Sequence, residues 1–314
     1  MYRYVLKRLF MMIPVMLGVV FIVFFILNLT PGDPARMILG EAAGQEAIDA
    51  LREEMGLNDP IFVRFFRYLG GLLQGDLGNS YRNHMPVLPQ VLERFPNTVI
   101  LATSAMALAL VIGIPIGILS ARKQYTLADN VFTILGMAGI SIPSFFMGLM
   151  LVLLFALHLG WLPSSGMDTG LVPLSRSLVL PTITLGTSAA AIVLRMTRSS
   201  MLEVIRQDYI DTVRAKGVAE SKVVTRHMLK NAMVPIITAI GLQFGMLLGG
   251  AAITETIFAW PGLGRFMIDS IRAQDTPLVL GSVLLLALMY SVVNLLVDLL
   301  YAFVDPRIKS QYKR

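Results

Sequence analysis

The sequence predicts an all-α integral membrane fold with six transmembrane helices, and three observations predict it. The 314-residue chain is 55% hydrophobic and only 15% charged, with a mean hydropathy of +0.71, well outside the range of soluble globular domains. Its apolar residues gather into runs of about 20 or more, the length a helix needs to cross a bilayer. Lys and Arg fall unevenly between the two sides those runs define, 17 against nine, the asymmetry that orients membrane chains by the positive-inside rule.

The first run, Leu9–Leu29, follows Arg3, Lys7 and Arg8, which places the N-terminus in the cytoplasm. It is too long for a signal-peptide core, and Thr30-Pro31-Gly32-Asp33-Pro34 follows where a cleavage site would need small residues, so residues 1–29 form a retained span. Residues 30–97 are external, with nine acidic residues against six Arg and no Lys. Within them Glu41–Met55 and Pro60–Gln74 read as helices, Gly75–Ser80 as a loop, and Pro86–Phe95 as a third short helix. The segment is too small and too interrupted for a catalytic domain and reads as a cap over an outer mouth.

Residues 98–305 form a five-helix core. Span two is Thr98–Ser120, with Arg122 and Lys123 as an inside signal. The third apolar region, Val131–Leu159, exceeds one bilayer thickness at helical rise. Ser141-Ile142-Pro143-Ser144 interrupts it, and a proline there removes a backbone donor, so a kinked or broken helix is expected. Spans four to six are Leu180–Arg195, Val234–Ile253 and Leu278–Leu300, and residues 306–314 are a cytoplasmic tail. Both termini are then cytoplasmic, and so is the polar stretch at 202–233.

That stretch carries Arg206, Arg214, Lys216, Lys222, Arg226 and Lys230, and it breaks at Gly217. A basic amphipathic helix could lie on anionic lipid. Glu203, Asp208, Asp211 and Glu220 are interspersed, however, and the break predicts two short helices better suited to docking in a protein cleft. The residues expected to present that contact are Asp211, Arg214, Ala215, Lys216, Gly217, Val218 and Glu220.

Other chemistries are excluded or weak. The chain has no Cys, so disulfides, thiolate metal sites and cysteine nucleophiles are impossible. His84, His158 and His227 are each alone in sequence, no metal site is expected, and no cofactor is implied. The basic residues lack aromatic interleaving, which argues against nucleic acid. Gly186-Thr187-Ser188 suggests an intramembrane serine protease with His158 as base, but the two residues lie at different depths along their spans. A secondary transporter predicts inverted repeats and titratable midplane residues, and neither is evident. Gly241, Gly245 and Gly249 form a small-residue face for packing within the bundle or against a second subunit. Gln243 and Asn294 are polar at depth and either line a path or bond between helices.

The chain resembles the permeases of ABC importers, in the dipeptide, oligopeptide and nickel branch, over essentially its full length. The resemblance rests on Arg195-Met196-Thr197-Arg198-Ser199-Ser200-Met201, Asp208-Tyr209-Ile210, Arg214-Ala215-Lys216-Gly217, Lys230-Asn231-Ala232-Met233-Val234-Pro235 and Gly241-Leu242-Gln243. Glu255-Thr256-Ile257-Phe258, Trp260-Pro261-Gly262-Leu263-Gly264-Arg265, Pro31-Gly32-Asp33-Pro34, Gly75-Asp76-Leu77-Gly78 and Asp305-Pro306-Arg307 also fit. It implies a type I ABC importer permease architecture, with 202–233 as the coupling loop. It further implies a second homologous permease subunit in a heterodimer, two cytoplasmic ATPase subunits and an extracytoplasmic solute-binding protein. The site would be non-catalytic, and the cargo peptides, with glutathione or a nickel chelate as alternatives. The importer loop's usual Glu-Ala-Ala is replaced by Asp211-Thr212-Val213, and His227-Met228-Leu229-Lys230 stands where Ile-x-Leu-Pro would.

Overall fold

A computed structural model describes residues 2–40, 42–168 and 170–304. The Asp305-Pro306-Arg307 motif and the tail 306–314 lie outside the described residues. In chain order the helices are α1 (Tyr2–Leu29), α2 (Pro34–Leu39), α3 (Gln45–Glu54), α4 (Ile61–Leu73), α5 (Val87–Arg122), α6 (Leu127–Ser141) and α7 (Ser144–Leu151), which runs on as a π-helical stretch, Val152–His158. They continue as α8 (Leu171–Ile205), α9 (Asp208–Ala215), α10 (Glu220–Lys222), a π-helical stretch Val223–Met228, α11 (Leu229–Gly250), α12 (Ala252–Ile257), α13 (Leu263–Arg272) and α14 (Thr276–Val304). Five of these stretches are long and apolar enough to cross a membrane, and α6 with α7 makes a sixth span if the pair, bent by 96°, counts as one. Ile142 adopts an extended conformation and Pro143, also non-helical with ψ 134, caps the start of α7, which is the physical cause of that bend.

The chain divides into two compact units, one of Met1–Leu6, Val99–Trp260 and Tyr290–Arg314, the other of Lys7–Thr98 and Pro261–Met289. The first is organised on α8. Its apolar window is 61% buried, against 11% for α1, and α11, α6 and α7 pack on it. In lipid no apolar gradient drives helices together, so close backbone approach has to do so. At α5 against α8 that approach needs glycine: a Cβ at Gly117 would lie 2.6 Å from the Thr197 Cβ, and one at Gly113 would lie 2.8 Å from the Ala190 carbonyl. The α6–α8 contact is similar, with Gly139 against Ala191 and Thr187. Ser188 donates there to the Gly139 carbonyl at 3.3 Å, a helix-to-helix bond with no base beside it.

The second unit holds the apolar face of α4 against α1 through aromatic edges, with Phe24 and Phe65 at 5.3 Å and Phe21 and Phe65 at 5.5 Å between ring centroids. Part of its polar interior is paired across the unit. Ser80 donates to the buried Asp275 carboxylate at 2.6 Å, Thr98 accepts from the Leu263 amide at 2.8 Å, and Asn97 donates to the Pro261 carbonyl at 2.8 Å.

Several element boundaries differ from the sequence expectation. The third short external helix does not stop at Phe95: α5 runs unbroken from Val87 through Pro96, so the boundary at 97/98 falls inside one helix. Asn97 and Thr98 make it look like a break in sequence, yet both side chains are engaged with the Pro261–Leu263 stretch. Span four is longer than Leu180–Arg195, because α8 starts at Leu171 and continues to Ile205. After Gly217 the chain forms no separate short helix; it resumes at Glu220 and continues helically into α11.

Candidate coupling site

The polar stretch folds as a turn element between α8 and α11. Gln207, with extended φ and ψ, ends α8 and leads into α9, whose first turn carries Asp208 and Asp211, where carboxylates complement the helix dipole. At its other end Lys216 donates to the Thr212 carbonyl at 3.2 Å and Gly217 donates to the Arg214 carbonyl at 2.9 Å. Gly217 has φ +76, the left-handed conformation in which glycine pays no Cβ penalty. Nothing lies within 4 Å of where its Cβ would be, so backbone conformation alone demands glycine within this chain.

The two faces of the element differ. Ile210 is fully buried and packs into a cluster with Ala121 of α5, Met201 of α8, Val223, Val224 and Met228, and Ile236 of α11; Val213 and Val218 close its edge. Asp211, Arg214, Ala215, Lys216, Gly217 and Glu220 are exposed. Of the seven residues singled out in sequence, six therefore share the open face and Val218 turns inward. Arg214 spans the turn, donating from Nε and Nη2 to Glu220 at 3.2 and 3.0 Å and pairing with Asp211 at 3.6 Å. Those hydrogen bonds, Glu220 first, hold the Arg214 pKa above its ordinary value. Beside this face a cavity of about 500 Å³ is lined by Ser200, Glu203, Gln207, Tyr209, Asn231 and Pro235. The Asn231 amide closes one wall, donating to the Tyr209 hydroxyl at 2.8 Å and to the His227 carbonyl at 2.7 Å. The element thus presents charged side chains on one face and an apolar seat on the other.

The remaining candidates lie elsewhere in the same unit. Gly241 and Gly245 press against Val297 and Tyr290 of α14, whereas Gly249 is open. Asn294 falls between Tyr290 and Val297 at helical spacing, on the stripe of α14 that meets those glycines. Gln243 is 9% exposed and, two residues from Gly241, occupies the opposite side of α11. The two polar candidates thus share no face.

Sequence reading missed a buried cluster at the same ends of the helices. Arg198 of α8 donates to both carboxylate oxygens of Asp129 at 2.7 Å, and Ser120 of α5 donates to the same carboxylate. The available signal was a lone Asp just ahead of the third apolar run and an Arg about one turn past the end of the fourth. Arg198 reads in sequence as a topology marker, and Asp129 draws no reading.

The architecture is also found among solved structures. The chain matches two inward-facing structures of the MetNI methionine ABC transporter, with TM-scores of 0.56 and 0.54 at 21% and 19% identity. These matches cover 70% and 68% of this chain and 98% and 96% of those chains, a likeness of fold. Five candidate spans, six with the bent α6–α7 pair counted as one, and the helix–turn element between α8 and α11 are those of an integral membrane protein. Residues 113–310 match the model of the binding-protein-dependent transport system inner membrane component, and residues 1–102 match that of its N-terminal region. The chain belongs to this family and is a permease subunit of an ABC importer. It is 43% identical to the dipeptide transport system permease protein DppB of Alkalihalophilus pseudofirmus, over 98% of this chain and 100% of that protein. It is equally 43% identical to the glutathione transport system permease protein GsiC of Pectobacterium atrosepticum, over 98% and 99%.

Proposed function

We propose that this chain is one of two homologous permease subunits that together form the translocation path for peptides, with dipeptides or glutathione as cargo. Two separate cytoplasmic ATPase subunits hydrolyse ATP, and a solute-binding protein on the far side delivers the cargo. The turn at Gly217 faces the cytoplasm, as do both termini, and the host membrane is the inner, cytoplasmic one. The distribution of Lys and Arg supports that orientation. The observation that carries the reading is the two-faced turn. Its apolar underside is seated on α5, α8 and α11, so a push on its polar face reaches three helices together. The seven residues from Asp211 to Glu220 act in coupling, Val218 as part of the seat. Gln243 and Asn294 are assigned to the path from separate faces, and Gly241 and Gly245 to helix packing against α14, with Gly249 left for packing against a second subunit. Selectivity rests largely with the binding protein, since nucleotide or cargo shifts the permease only through differential affinity for its two states.

The test reconstitutes the chain with its second permease, ATPases and binding protein in proteoliposomes. Gly217→Asn tolerates the left-handed backbone and adds bulk only on the open face. It should insert normally yet lose most ATP-dependent peptide uptake. Wild-type uptake rates in that variant would overturn the coupling assignment, and uptake by the purified chain without ATPase subunits would overturn the multi-subunit reading.

A further inference from the structure

The Asp129 cluster joins three helices at the end where the coupling turn is seated. Asp129 is nearly inaccessible, its side chain 3% exposed, and its carboxylate is fully satisfied. It accepts from Nε and Nη2 of Arg198 at 2.7 Å each, from the Ser120 hydroxyl at 2.5 Å, and from the Tyr125 amide at 3.1 Å. Arg198 Nε also reaches the Ser120 oxygen at 3.1 Å. Tyr125, a non-glycine residue at φ +63, is held in an uncommon conformation by the short loop this network pins. A planar fork of donors on a carboxylate fixes angle as well as distance, so the network sets the orientation of α6 on α8.

Its neighbours explain what that orientation is for. Ser120 precedes Ala121, and Arg198 lies three residues before Met201. Ala121 and Met201 both belong to the apolar seat of α9. The clamp and the seat are therefore successive layers of one block. Beyond the clamp, α6 meets α8 through its glycines, Gly136 against Leu194 and Gly139 against Ala191. The helix then ends at the 96° bend into α7. We propose that Asp129, Arg198 and Ser120 are positioning residues for transport: a clamp, closed throughout the cycle, that makes α6 turn with α5 and α8 about the Ile142-Pro143 bend when the coupling turn moves. This rests on the importer reading above.

The reconstituted complex provides the test. Asp129→Asn should lower peptide uptake per ATP hydrolysed between about fivefold and about a hundredfold, the usual span of coupling between sites. Mere loss of folded complex would lower uptake and hydrolysis together and leave that ratio unchanged. Because the chain has no Cys, the pair Asp129→Cys with Arg198→Cys can be bridged by a short bifunctional thiol reagent, which should restore the ratio, while neither single variant should respond. An unchanged ratio in Asp129→Asn, or a bridge that abolishes the remaining uptake, overturns the closed clamp. If those variants fail to assemble, Arg198→Lys keeps the charge but loses the fork, and an unchanged ratio there also counts against the proposal. Spin labels at Asn130→Cys and Thr225→Cys, both exposed and the second beside the seat but outside the coupling set, supply a readout free of cargo. Their separation should stay constant between nucleotide states in the otherwise native chain, and a change overturns rigid coupling. A native complex that hydrolyses ATP but moves no peptide would remove the cargo assignment, and the label distance would still decide the clamp.

Discussion

Two arginine–carboxylate pairs lie near the Gly217 turn of this permease, and they contrast in their surroundings. Arg214 and Glu220 meet through two hydrogen bonds at 3.0 and 3.2 Å, with side chains 39% and 45% exposed. Arg198 and Asp129 meet through two at 2.7 Å, with side chains 27% and 3% exposed. The chemistry is the same and the energetics are not. An exposed pair competes with water and salt and contributes about 0–1 kcal/mol. Removing one partner of a buried pair strands the other charge and costs about 3–5 kcal/mol. The exposed pair spans six residues across one turn, and the buried pair ties together helices 69 residues apart. The first can trim a local shape; the second fixes how whole helices move.

The largest effect should come from the buried side. Asp129→Asn keeps the shape but leaves the Arg198 guanidinium without its counter-charge. With Arg198 still 27% exposed, it should destabilise the detergent-solubilised protein by about 1–3 kcal/mol, read as a lower midpoint of thermal unfolding. Because the pair is shielded, the loss should persist at high ionic strength. A loss under about 1 kcal/mol, or one that vanishes in salt, would place this pair in the same class as Arg214–Glu220 and erase the contrast.

The same contrast marks how far the sequence could be read. The spans, the break at Ser141-Ile142-Pro143 and the turn at Gly217 were legible because hydropathy and backbone chemistry are local. A proline or a left-handed glycine acts on its own neighbours. The exposed clasp was half legible, since Arg214 and Glu220 flank the turn that brings them together. The buried clamp was not, because nothing local pairs residue 129 with residue 198. A long-range pair of opposite charges is visible only once α6 and α8 are packed. The ends of α5 and α8 were misjudged for a related reason. Polar residues such as Asn97 and Arg195 look like helix boundaries to a hydropathy reading, but tertiary hydrogen bonds and helix continuity decide otherwise. Val218 reads in sequence as part of the presented turn, and only the apolar cluster beneath α9 shows which way it faces.

An intermediate effect belongs to the turn that the exposed pair spans. Gly217→Ala forces an L side chain into φ +76 and should cost about 1 kcal/mol, whereas Gly217→Asn should cost less because asparagine visits that region more readily. Since no atom lies near the site of the added Cβ, this ordering isolates backbone strain from crowding, and unfolding midpoints of the two variants measure it. If both variants matched the native chain, the glycine would be dispensable for folding and its demand would lie wholly with a partner.

The smallest effect should be Glu220→Gln. It keeps volume and one acceptor while removing the charge that Arg214 grips. With both side chains well exposed, the change in stability should stay below about 1 kcal/mol at low salt. It should fade toward zero near 1 M salt, where the screening length is about 3 Å. Arg214 retains Asp211 at 3.6 Å, a second reason for a small loss. A salt titration of the unfolding midpoint, run beside the same titration of Asp129→Asn, sets the two pairs on one axis. A large, salt-resistant loss in Glu220→Gln would mean that the clasp over Gly217 is a structural tie in its own right. The rigidity assigned to the clamp beneath it would then have to be shared between the two.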